Sequence, residues 1–92
     1  MKISIELSLY PLAIDNFKDE IWAFIKRLRK IDGLTVVTNG MSTQVFGDYD
    51  LAVSKVMAEI KHVHSTTDAA VFVCKFISGD RSFPEAEPEG MS

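Results

Sequence analysis

An unbroken two-residue alternation opens this chain and limits how it can begin to fold. From Lys2 to Tyr10, Ile3, Ile5, Leu7 and Leu9 fall on one side, and Lys2, Ser4, Glu6, Ser8 and Tyr10 on the other. Successive strand side chains point to opposite faces, so the segment predicts a half-buried strand. Its apolar row needs a covering layer. Its polar row, a carboxylate between two serines followed by a phenol, is better suited to binding than to a core. Pro11 has no N–H to give a central ladder, which predicts that the strand stops at Tyr10.

The covering layer follows in sequence. Asp15 is an expected N-cap, and Phe17, Ile21, Phe24, Ile25, Leu28 and Ile31 recur at helical spacing. Asp19 and Glu20 come early in this helix and Lys26, Arg27, Arg29 and Lys30 late, as the helix dipole favours; Gly33 is placed to end it. Leu34 to Thr38 predicts a short strand, Asn39-Gly40 a two-residue turn, since both residues tolerate positive φ, and Ser42 to Phe46 the returning strand, broken by Gly47-Asp48. Asp48 or Asp50 caps a second helix whose stripe is Val53, Val56, Met57, Ile60 and Val63. Ser65 to Asp68 is an expected turn, and Ala69 to Ile77 a last strand, apolar on both faces apart from Lys75.

The order β-α-β-β-α-β is the split βαβ plan of a ferredoxin-like α+β fold: an antiparallel sheet of order 4-1-3-2 with both helices on one face. With the apolar row of the first strand under the helices, Ser4, Glu6 and Ser8 line the open face, and Ser42 and Gln44 of the third strand join them. The last strand adds Val71, Val73 and Ile77, or else Ala70, Phe72, Cys74 and Phe76. Either choice exposes apolar area that pairing between copies, through the sheets or their edges, would cover.

At 92 residues the chain makes one domain, expected to span residues 1–79. Residues 80–92 are acidic and hold Pro84 and Pro88, a composition expected of a mobile tail or an arm that orders against a partner. The net charge of −3 resides in that tail, because residues 1–78 carry equal numbers of basic and acidic side chains. A neutral body lacks the electrostatic footprint of a nucleic-acid binder, and the central strands lack the aromatic pattern of an RNA-binding sheet. No apolar run is long enough to cross a membrane, and the amphipathic start does not resemble a secretory signal. Cys74 is the single cysteine, which excludes an internal disulfide and fits a cytoplasmic setting.

Ser8-Leu9-Tyr10-Pro11-Leu12, then Asn39-Gly40-Met41-Ser42-Thr43, then Phe46-Gly47 before an acidic helix start, resemble the YkoF-like family that binds thiamin and hydroxymethylpyrimidine. The resemblance covers residues 2–78. It implies a ferredoxin-like domain that binds thiamin or its pyrimidine precursor without catalysis, uses no further cofactor, and associates through its sheets. The best-known members carry two such domains in one chain. This chain carries one, so a homodimer or homotetramer is expected to supply the second.

An aminopyrimidine has ring nitrogens that accept and an amine that donates, and hydroxyls can do either job. The resemblance assigns that work to Ser8 and to Ser42 or Thr43. Glu6 is a candidate to bond the pyrimidine or balance a thiazolium charge, or simply to pair with Lys75 across the strands. Tyr10, Phe46 or Trp22 would offer an aromatic face. Asn39 would supply an amide, besides its role in the turn. The plainer readings are a strand end for Ser8 and Tyr10, sheet surface for Ser4, core filler for Met41, and an oligomer contact for Phe46. His62 and His64 point to different sides of a helix, make a poor metal pair and are expected to be solvated, as is the basic cluster from Lys26 to Lys30. Cys74 is expected to be inert.

Acylphosphatases share this size and topology but need a basic phosphate-cradling loop after the first strand. Here that loop reads Pro11-Leu12-Ala13-Ile14. No nucleophile with a nearby base and no metal motif is visible, so the chain is expected not to be an enzyme. The alternative to ligand binding is an oligomeric interaction or regulatory module with no small ligand.

Overall fold

The first strand, β1 (Lys2–Leu12), is the spine of a four-stranded antiparallel sheet. The computed structural model describes residues 1–12, 15–67 and 69–84. After β1 come α1 (Phe17–Arg29), β2 (Thr35–Thr38), β3 (Thr43–Asp48), α2 (Tyr49–Thr66) and β4 (Ala69–Ser78). The sheet order is β2-β3-β1-β4, the expected 4-1-3-2 read from the other edge. The fold is ferredoxin-like. Ile3, Ile5, Leu7 and Leu9 pack with Val45 against Phe24, Ile25 and Leu28 of α1 and Ala52, Val56, Ile60 and Val63 of α2. The apolar row of β1 therefore meets the helices, as its alternation required.

Strand β1 does not stop at Tyr10. It continues through Pro11, which pairs in register with Ala70, to Leu12 opposite Ala69. Two bonds at the sheet's far end give the reason. The Tyr49 N–H donates to Met1 O, and the Gly79 N–H to Lys2 O. Backbone groups alternate sides along a strand, so odd residues of β1 aim their N–H and C=O at β3 and even residues aim theirs at β4. Pro11 is odd, and β1 has no β3 partner beyond Leu7. The N–H that proline lacks would have pointed to the vacant side, so its absence breaks no rung.

Other boundaries differ for local reasons. Asn16, not Asp15, occupies the N-cap of α1, and it makes no side-chain cap bond. The β2–β3 loop is a four-residue connection, Asn39 to Ser42, and β3 starts at Thr43. Gly40 does not have positive φ. Asn39 closes the loop with its side chain instead, its Oδ1 accepting the N–H of Met41 at 2.8 Å and that of Ser42 at 3.3 Å. Gly47 does not break β3, which runs on to Asp48. A Cβ at Gly47 would lie 2.7 Å from Leu34 Cδ2 and 3.0 Å from the Gly33 carbonyl, so glycine is there for close approach. Asp48 caps α2, its carboxylate accepting from the Leu51 N–H. In α2 Met57 is exposed and Ala52 takes the core position; the helix also absorbs Ser65 and Thr66, where a turn was expected. Asp68, the last residue of that expected turn, lies outside the described residues.

The basic end of α1 is not wholly solvated: Arg27 Nε bonds Glu59 Oε2 of α2 at 2.7 Å. Nor is His64 free of contacts, since its Nε2 lies 3.2 Å from the Ala70 carbonyl and its ring meets Phe72 edge-on. The start of the expected tail is tied to β1, together with Gly79. The Ser4 hydroxyl donates to Gly79 O and accepts from the Arg81 N–H, each at 2.8 Å. Ser4 is thus only 5% exposed, rather than ordinary sheet surface. Residues 85–92 of the expected tail lie outside the described residues. No helix among the described residues is long and apolar enough to cross a membrane.

Candidate functional site

The register sorts the candidate residues by face. Residues directly opposite in an antiparallel ladder share a face, so Ser4, Glu6, Ser8 and Tyr10 lie with Gln44 and Phe46 of β3 and with Val71, Val73, Lys75 and Ile77 of β4 on the open side. Of the two alternatives for β4, this is the first. Thr43 pairs with Leu7 and faces the helices; it is buried, and its Oγ1 lies 2.8 Å from the Thr38 Oγ1.

A cleft of about 630 Å³ lies at the end of the sheet where β1 outruns β3. Ser8 and Tyr10, with Leu7 and Leu9, form its β1 side; Asn39, Met41, Ser42 and Thr43 form the hairpin side. Its third wall is α1, through Phe17, Lys18, Ile21 and Trp22. This placement differs from the sequence expectation of a pocket on the open face, away from the helices. The sheet simply ends here. The gap between β1 and the hairpin loop connects the two faces, and the first turns of α1 close it on one side.

Five of the seven candidate residues therefore come together: Ser8, Tyr10, Asn39, Ser42 and Thr43. Glu6 and Phe46 do not line this cleft. They sit one and two rungs away in a smaller depression of about 220 Å³ on the open face, with Ser4, Gln44, Lys75 and Arg81. Glu6 is engaged on both oxygens: Oε1 lies 3.3 Å from Lys75 Nζ and Oε2 accepts from Ser42 Oγ at 3.0 Å. The Ser42 hydroxyl, and then Lys75, hold the Glu6 carboxyl below its ordinary pKa. The cross-strand pair and the hydrogen bond thus coexist, and Glu6 reaches the cleft only through Ser42.

The aromatic wall was harder to read from sequence. Trp22 lines the cleft, and the Arg29 guanidinium lies 5.6 Å from its ring. Phe17 fits the apolar stripe of α1 but is half exposed at the cleft's edge. Its position at the very start of the helix, beyond the end of β3, was the available signal. Lys18 supplies the single charge among the described lining residues. Burial raises the pKa of the Cys74 thiol, which keeps it protonated and poorly nucleophilic. No group of three or more His, Cys, Asp or Glu side chains that could hold a metal ion is present among the described residues.

No family model matches the sequence, and no curated protein matches it either. Solved structures do resemble it. A hypothetical protein of Methanocaldococcus jannascii superposes with a TM-score of 0.73 at 25% identity, over 89% of this chain and 84% of its own. A Thermotoga maritima protein provisionally assigned to thiamine biosynthesis/salvage gives a TM-score of 0.70 at 14% identity, over 83% and 82% of the two chains. A Bacillus cereus domain of unknown function, DUF77, gives 0.61 at 11% identity, over 92% and 83%. At these distances what the likeness shows is a shared ferredoxin-like fold.

Proposed function

We propose that this protein binds thiamin or its hydroxymethylpyrimidine half without chemically altering it, in salvage, transport or sensing, as a YkoF-like domain does. The cleft at the sheet end is the observation that carries the reading. It brings two hydroxyls, Ser8 and the Glu6-bonded Ser42, and an amide, Asn39, opposite an aromatic and aliphatic wall of Phe17, Ile21 and Trp22. That is the usual make-up of a small-molecule site, apolar with a few placed polar groups, and the volume suits a ligand of this size. The Thermotoga protein's assignment points the same way.

The charge of the wall narrows the ligand. With Lys18 as the one charged group among the described lining residues and Glu6 outside, the cleft suits the neutral pyrimidine better than a thiazolium cation. Calorimetry with thiamin, its phosphates and free hydroxymethylpyrimidine tests this. Binding of the pyrimidine is expected to be the tightest. No heat from any of them at millimolar ligand overturns the reading.

A second reading has its own support. Val37, Val71, Val73 and Ile77 stand exposed on the open face and do not line the cleft. They suit a homodimer or homotetramer formed through the sheets, the expected assembly. A stable oligomer that takes no ligand would favour an interaction module over a binding protein.

A further inference from the structure

The β1–β3 ladder ends one rung early, and the hairpin loop is the cause. Its hydrogen-bonded rungs are the odd pairs Ile3–Gly47, Ile5–Val45 and Leu7–Thr43, a parity fixed by the Tyr49-to-Met1 bond at the far end and by the Asn39-to-Ser42 bond in the hairpin. The next rung would join Leu9 to Met41. It is not made, because the Met41 N–H is turned back onto Asn39 Oδ1, and the Asn39 N–H and Ser42 O bond one another. Met41 itself is 89% exposed. Leu9 is buried and lines the cleft. By parity its N–H and its C=O both aim across the gap toward the loop, and neither has a hydrogen-bond partner among the described residues. Both groups therefore face the cleft, where a ligand can meet them.

A single extended residue offers a donor and an acceptor side by side, in one plane and on one side. A 4-aminopyrimidine carries the complement along one edge: a ring nitrogen that accepts beside an amine that donates. We infer that the main chain of Leu9 reads this edge. Its N–H donates to the ring nitrogen next to the amino group, and its C=O accepts from the amine, so that the ligand completes the rung Met41 declines. This deepens the reading of the cleft as an aminopyrimidine site and rests on it. The Ser8 and Ser42 hydroxyls then serve the remaining ring nitrogen and the hydroxymethyl arm. Discrimination follows from polarity. A 4-oxo pyrimidine sets its carbonyl against the Leu9 C=O and its ring N–H against the Leu9 N–H, so both contacts repel.

The test uses the whole chain, isotope-labelled, with 4-amino-5-hydroxymethyl-2-methylpyrimidine and its 4-oxo counterpart as probes. In the free protein the Leu9 amide is expected to exchange with solvent far faster than that of Leu7, which has its rung. Saturation with the amino compound should slow Leu9 exchange at least about tenfold and move its amide proton downfield. The oxo compound should bind at least about 100-fold more weakly, as sites built around hydrogen bonds reject analogues of the wrong polarity. Three results overturn the inference and leave the functional reading standing: a Leu9 amide already protected in the free protein, one untouched by the bound amino compound, or equal affinity for both probes. Failure of both pyrimidines to bind overturns the inference, and the functional reading falls with it when thiamin and its phosphates give no heat either.

Discussion

Glu6 shows how one side chain can be tuned by two neighbours. Its carboxylate accepts from Ser42 and pairs with Lys75, and its pKa falls in consequence, Ser42 being the larger cause. A carboxyl with a lowered folded pKa adds stability above its unfolded pKa. That contribution fades as pH falls through the folded value, so the effect belongs to the acid limb. Ser42→Ala is expected to raise the Glu6 pKa toward its ordinary range, read by carboxyl-carbon NMR titration; an unchanged titration would show that the hydroxyl has no hold on it. Gly47 and Thr67 make stability predictions of opposite sign. Gly47→Ala places a methyl against Leu34 and the Gly33 backbone and should cost about 1–3 kcal/mol in urea unfolding. The Thr67 hydroxyl is buried with no partner among the described residues. Thr67→Val keeps the shape and removes the stranded group, so a gain of about 1 kcal/mol is expected.

Among the elements, the β2–β3 hairpin governs the site. Its loop is held by Asn39, whose amide oxygen takes two backbone N–H groups. Asn39→Ala is expected to lower stability by about 1 kcal/mol and to weaken pyrimidine binding as well, because the Met41 amide becomes free to compete for Leu9. Binding that survives at full strength would separate the loop from the site. Pro11 gives the converse case. Its ring sits on the side of β1 that β3 has vacated, so Pro11→Ala should shift unfolding by no more than about 1 kcal/mol, through the freedom of the unfolded chain. A much larger loss would mean the ring itself packs against the cleft.

For the whole molecule the question is what covers the open face. Val73 is 56% exposed at its centre of apolar area, between Val71 and the Lys75–Glu6 pair. Sedimentation of the wild type is expected to give a dimer or tetramer. Val73→Glu places an unpaired charge in that contact and should yield monomer while leaving the helical core intact. A monomeric wild type would leave the open face bare and remove the argument for sheet pairing.

The sequence by itself determined which elements form and which way β1 faces. Strict alternation needs only the two-residue geometry of a strand, and the helical stripes need only the period of a helix; both are local. Asp48 as a cap and Glu6 beside Lys75 were legible for the same reason, since each is a short-range or directly cross-strand contact. Where the cleft lies was not legible. It depends on β1 continuing while β3 begins late, and that offset is set by how Asn39 folds the loop and by which side of β1 Pro11 leaves unbonded. Those are relations between segments some 30 residues apart. Only the assembled sheet brings them together, and with them the helix that turns an open face into a walled gap.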